Sequence, residues 1–120
     1  MFEKVYVYLI HSETDHINQY KIGISKHPEN RIKELKTANP NIVGVVDKYL
    51  CDSREIAHKV ETWFHKYYRT FNIDGEWFML DENEWIDFTN NCKIFEARVK
   101  THLEIEKNLK GKDIEDRLWR

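Results

Sequence analysis

Residues Lys4 to Ile10 alternate, with Val5, Val7 and Leu9 set against Tyr6, Tyr8 and Ile10. A period of two is the pattern of a half-buried strand. The run Tyr20 to Ser25 alternates again, with Tyr20, Ile22 and Ile24 on one face and Lys21, Gly23 and Ser25 on the other. The two runs predict a hairpin. The stretch His11 to Asn18 between them is polar and has no Gly or Pro to force a tight turn, so a loop is expected there. Gly23 interrupts the second run. A glycine inside a strand gives up side-chain packing and marks close approach of a ligand or another backbone.

The pattern then becomes helical. Pro28 suits a first helical position and Glu29 the positive end of the helix dipole. Ile32 and Leu35 supply the apolar face, and Asn39-Pro40 ends the helix. Arg31 lies eight residues after Gly23, placed to reach back over the hairpin. Ile42 to Leu50 predicts a third strand, largely buried and bulged at Gly44. Ser53 to about Phe71 predicts a second helix, with Asp52-Ser53 as its N-cap and a core stripe of Ile56, Val60, Phe64, Tyr67 and Phe71.

Asp74-Gly75 signals a turn before the extended segment Glu76 to Leu80. From Glu82 onward, Trp85, Phe88, Cys92, Phe95, Val99, Leu103 and Leu109 predict one long amphipathic helix ending near Gly111. The order of elements implies an α/β (α+β) layered domain: a central, mostly antiparallel three-stranded sheet flanked by helices, with a long C-terminal helix.

Composition narrows the function classes. With 120 residues the chain holds one core. Its formal net charge of -2 means that a nucleic-acid partner requires a local basic patch. Cys51 and Cys92 are too far apart for a metal motif and read as two reduced thiols, which points to a cytoplasmic or intracellular viral protein. No apolar run approaches membrane length, so no membrane partner is expected.

A second stripe on the predicted second helix carries His58, Glu61 and His65. Without a third strong ligand nearby, the histidines read as surface or hydrogen-bonded groups rather than a zinc site. Glu61 borders the aromatic face and is placed to turn toward the sheet. A single carboxylate completed by waters and a substrate phosphate is the usual way to hold magnesium.

Taken in order, Tyr6-Val7-Tyr8, Lys21-Ile22-Gly23-Ile24-Ser25, Arg31 and Glu61 resemble the signature of the GIY-YIG nuclease superfamily. Thr37-Ala38-Asn39-Pro40 and Gly75-Glu76-Trp77-Phe78 are similar to motifs of its branch named for the phage T5 open-reading-frame 172 domain, also called the meiotically-upregulated-gene-113 type. The resemblance runs from about Val5 to Leu80. It departs from the pattern in having Tyr6 in place of the first triplet's glycine and Lys21 in place of a tyrosine. Leu35 stands where active relatives often carry histidine.

The resemblance implies a catalytic and DNA-binding domain over residues 1–80; it does not reach residues 81–120, which read as a helical extension packed on the same domain. It implies hydrolysis of DNA phosphodiester bonds with Mg2+ or Mn2+ held by Glu61. Tyr8 would orient or deprotonate the water, Lys21 would favour its phenolate, and Arg31 would stabilise the phosphorane. Tyr6, Gly23, Ser25 and His27 would border the substrate. The alternative is a non-catalytic DNA-binding or protein-interaction module on the same scaffold. The apolar stripe of the C-terminal helix also raises the expectation of a homodimer.

Overall fold

The computed structural model describes residues 3–119, with side chains as far as Leu109. Strand β1 (Val5–Thr14) pairs antiparallel with β2 (Ile17–Ser25) along its whole length. The predicted loop is instead a two-residue turn. Asp15 and His16 both adopt positive φ, 51° and 65°, the backbone a twisted hairpin needs at its tip. Asp tolerates that region, so a tight turn forms here without glycine.

Helix α1 (Pro28–Ala38) follows, then β3 (Ile42–Cys51) and α2 (Arg54–Tyr67). The chain continues through β4 (Asn72–Asp74), β5 (Trp77–Phe78), α3 (Glu82–Ile86) and α4 (Phe88–Trp119). The sheet has five strands rather than three, in the order β3-β1-β2-β5-β4, and every pairing is antiparallel.

The alternation read from the hairpin sorts its side chains as expected. Val5, Val7, Leu9, Tyr20 and Ile22 join the main core with Val60, Phe64, Phe88, Phe95 and Val99 from α2 and α4. Tyr8 and Ile10 point to the opposite face, where Ile32 of α1 and Ile42 cover them. The sheet therefore lies between α1 on one side and α2 with α4 on the other.

Four details differ from the pattern. β3 is an edge strand and buries only Ile42 and Cys51, at its two ends. Its register against β1 slips past Val46 and past Val43, so bulges flank Gly44 rather than fall on it. The buried face of α2 is Ala57, Val60 and Phe64, continued by Tyr68. Tyr67 is exposed because it lies beside this stripe, which passes from Phe64 to Tyr68, and Phe71 because a tight 3-10 turn, Arg69–Phe71, breaks the period.

The predicted C-terminal helix is divided at Asp87, and α4 runs on to Trp119, past Gly111. A helix tolerates one interior glycine at a cost of about 1 kcal/mol when no proline follows. The side chains of residues 110–120 lie outside the described residues. Up to Leu103 the stripe of α4 is spent on the main core, while Ile105 and Leu109 are exposed.

Candidate active site at the open edge of the hairpin

Strand β5 is two residues long, and it covers β2 only at Tyr20 and Lys21. Beyond a backbone bond from Ile22 to the Glu76 carbonyl, 3.4 Å, that edge of β2 has no strand beside it. Helix α2 uses the gap. His65 Nε2 lies 3.1 Å from the Ile22 carbonyl and donates to it, so α2 reaches the sheet edge from the opposite face. The His65 ring also packs edge-on against Phe78, with centroids 5.2 Å apart.

One turn before His65, Glu61 comes to the same place. Ligand atoms of Glu61, His65 and Glu76 all lie within 4.8 Å of one another. The Glu61 side chain is 13% exposed, and its one ion-pair partner among the described residues is His58, 3.7 Å away and itself open to solvent. Burial pushes the Glu61 carboxyl above the usual carboxylate range, Glu76 adds to this, and His65, His58 and Lys21 oppose it. The third strong donor that the helix stripe lacked is therefore Glu76. His58 stays at the rim.

Lys21 is buried, its ammonium paired with Glu76 and 5.9 Å from the centre of the Trp77 ring. Strand pairing explains this placement, since Lys21 stands opposite Trp77 and Glu76 precedes it. Lys21 was expected to be the cation beside the Tyr8 phenol. The cation that acts on the phenol is Arg31 instead, from the second turn of α1. The Tyr8 pKa also moves opposite to the expectation of a phenolate. Burial drives it up, Arg31 pulls it down, and the Glu76 and Glu61 charges push it up again.

Gly23 faces Tyr8 across the hairpin. A Cβ at this position would lie 2.6 Å from Tyr8 Cζ and nearer still to the hydroxyl oxygen. The space left by the absent side chain thus holds the Tyr8 phenol, and the close approach is internal to the chain. Tyr6 stands opposite Ser25, with the Lys48 ammonium 4.9 Å above its ring. Ser25 Oγ accepts a bond from the His27 backbone N–H, 3.0 Å, at the start of α1, and the His27 side chain is exposed. Arg31 is exposed as well and pairs with Glu34 at 3.0 Å. An exposed pair of this kind contributes about 0–1 kcal/mol and yields readily to a phosphate.

The Tyr8 phenol thus lies over Gly23 and within the influence of Arg31, and Lys21, Glu61, His65 and Glu76 form a second contiguous group. The charges of Glu76 and Glu61 both push the Tyr8 pKa up. Sequence reasoning gave no site role to His65 or Glu76. The signal for Glu76 was its position in Gly75-Glu76-Trp77-Phe78, one residue before the strand that pairs with Lys21.

A family model described as the T5orf172 domain matches residues 5–93. Neither the curated proteins nor the solved structures contain a match to the chain.

Proposed function

Because the chain belongs to the T5orf172 domain family, which is related to nuclease-like domains, we propose that it is a divalent-metal-dependent DNA endonuclease. The observation that carries this reading is the open β2 edge. There a half-buried carboxylate with few partners, Glu61, shares one region with a phenol and an exposed guanidinium.

The residues present fit a divalent cation. Glu61 is half-buried without a hydrogen bond among the described residues, and a cation there would satisfy the charge that burial disfavours. A hard carboxylate completed by waters and a phosphate oxygen suits Mg2+ or Mn2+. When bound, such a cation neutralises charge at the scissile phosphate and at the leaving oxygen.

The chain's own groups then divide the remaining work. Arg31 leaves Glu34 for the phosphate and balances the charge that builds on its non-bridging oxygens. Tyr8, kept protonated by its buried setting, acts as a neutral donor or acceptor that orients water for attack at phosphorus. The new P–O bond forms as the bond to the departing sugar oxygen breaks, the attacking water losing its proton to solvent and the sugar oxygen taking one up from solvent. Lys21, held by Glu76, keeps the cluster electrically balanced.

The test is a cleavage assay on duplex, branched and single-stranded DNA with Mg2+ or Mn2+, comparing wild type with Tyr8→Phe and Arg31→Ala. The reading expects product from at least one substrate and a loss of about 100-fold or more in Arg31→Ala. Salt-sensitive DNA binding without turnover in any of these conditions refutes it and favours a non-catalytic binding module.

A further inference from the structure

The cluster at the β2 edge carries more donors than a single-carboxylate magnesium site needs. We infer that Glu61, His65 and Glu76 together form one cation site, whose imidazole selects a first-row transition cation such as Mn2+ or Co2+ over Mg2+. The inference rests on the nuclease reading in taking Glu61 as a ligand, and it adds two ligands and a selectivity.

Three observations support it. Donor atoms from all three residues lie within 4.8 Å of one another. The His65 ring is fixed in place, Nε2 donating to a backbone carbonyl at 3.1 Å and Phe78 packing against it, so the site assigned here uses Nδ1, the nitrogen left with the lone pair. Glu61, finally, is largely buried, and its one charged partner among the described residues is 3.7 Å away.

The chemistry of the donors sets the preference. Mg2+ takes oxygen ligands and keeps its waters, whereas an added imidazole nitrogen favours first-row transition cations, Co2+ more than Mn2+. Lys21 supplies a further element, because its buried ammonium already sits on Glu76. Lys21 thus already supplies positive charge to the Glu76 carboxylate. A divalent cation must compete with it for the Glu76 carboxylate.

The experiment measures binding directly, by calorimetric titration of the full chain with Mn2+ and with Mg2+. Paramagnetic broadening of the histidine imidazole signals by Mn2+ is followed in parallel in unmodified protein. Wild type should bind Mn2+ more tightly than Mg2+, with the His65 ring broadened first. His65→Gln retains an N–H for the Ile22 carbonyl and should weaken Mn2+ by about tenfold or more while changing Mg2+ little. Lys21→Met should tighten both cations severalfold.

Unchanged Mn2+ affinity in His65→Gln, or broadening confined to other histidines, overturns the inference. If Mg2+-dependent cleavage persists in that case, Glu61 stands alone as the ligand and the nuclease reading survives. His65-dependent Mn2+ binding in a chain that cleaves no DNA has the reverse meaning: the site stands and the nuclease reading falls.

Discussion

Replacing Gly23 with alanine places a methyl group where the Tyr8 ring already lies. The added carbon would be 2.6 Å from Cζ and 3.0 Å from Cε1, against the 3.4–4 Å of ordinary contact. The ring cannot move aside freely, since it is 2% exposed and packed with Ile10, Ile32 and Ile42. Overpacking of this kind costs about 1–3 kcal/mol. Alanine in a β conformation returns about 0.4–1 kcal/mol by restricting the unfolded chain. The expected net loss is therefore about 1–2 kcal/mol, read as a lower urea midpoint with an unchanged slope.

Cleavage should suffer more than folding, because moving the phenol by about 1 Å misplaces it for chemistry at a cost on the order of 100-fold. A double-mutant cycle with Tyr8→Leu isolates the cause. With the ring removed, Gly23→Ala should be neutral or mildly stabilising, giving a coupling of about 1–3 kcal/mol. Gly23→Ala as stable as wild type, or a cycle without coupling, refutes the claim that Gly23 is there to receive Tyr8.

Three further predictions follow from the same geometry. Arg31→Ala should change stability by less than about 1 kcal/mol, since it removes one exposed pair with Glu34, yet lower the cleavage rate by about 100-fold or more. Parallel denaturation and rate measurements check this split. Glu61→Gln should raise the melting temperature at neutral pH. The folded carboxyl sits above its ordinary pKa, so the fold is penalised once that group ionises; the gain should vanish near pH 3, where folded and unfolded carboxyls are both protonated (about one unit below the usual range).

Burial pushes the Cys51 thiol up to about 12 from its usual 9.0. Its contribution to stability is complete below the unfolded value and is lost as pH climbs through the folded one. The urea midpoint should fall across that window, and an aromatic disulfide reagent at pH 8 should label Cys51 and Cys92 only on unfolding. Rapid labelling of the native chain contradicts their burial.

Much of the fold was legible because period-two and helical patterns report directly which face is covered. The hairpin's alternation placed Tyr8 and Val7 on opposite faces, and Pro28 and Asn39-Pro40 bounded α1. Features that depend on distant partners were not legible. Whether β3 is central or at an edge is decided by the strands that flank β1, so its apolar run read as buried although only its two ends are. The stripe on α2 was misjudged because Ala57, too small to stand out, packs in the core, while Tyr67 does not.

The site shows the same division. Tyr8, Arg31 and Glu61 stood out by residue type and order. The partner of each charge did not, because it depends on a two-residue strand that only tertiary structure reveals. That strand sets Glu76 on Lys21 and leaves Arg31 to act on Tyr8. Asp15 and His16 make the turn in backbone conformations usually associated with glycine, so the hairpin tip gave no sequence signal.

The open edge of β2 is proposed to hydrolyse DNA with a cation held by Glu61. The most direct test is the rate of strand scission of a supercoiled plasmid, measured for wild type and Glu61→Gln with Mg2+ or Mn2+ and again with chelator. The prediction is nicking by wild type that chelator stops and the substitution abolishes. Equal nicking by folded Glu61→Gln protein, or scission that survives chelation, contradicts the account.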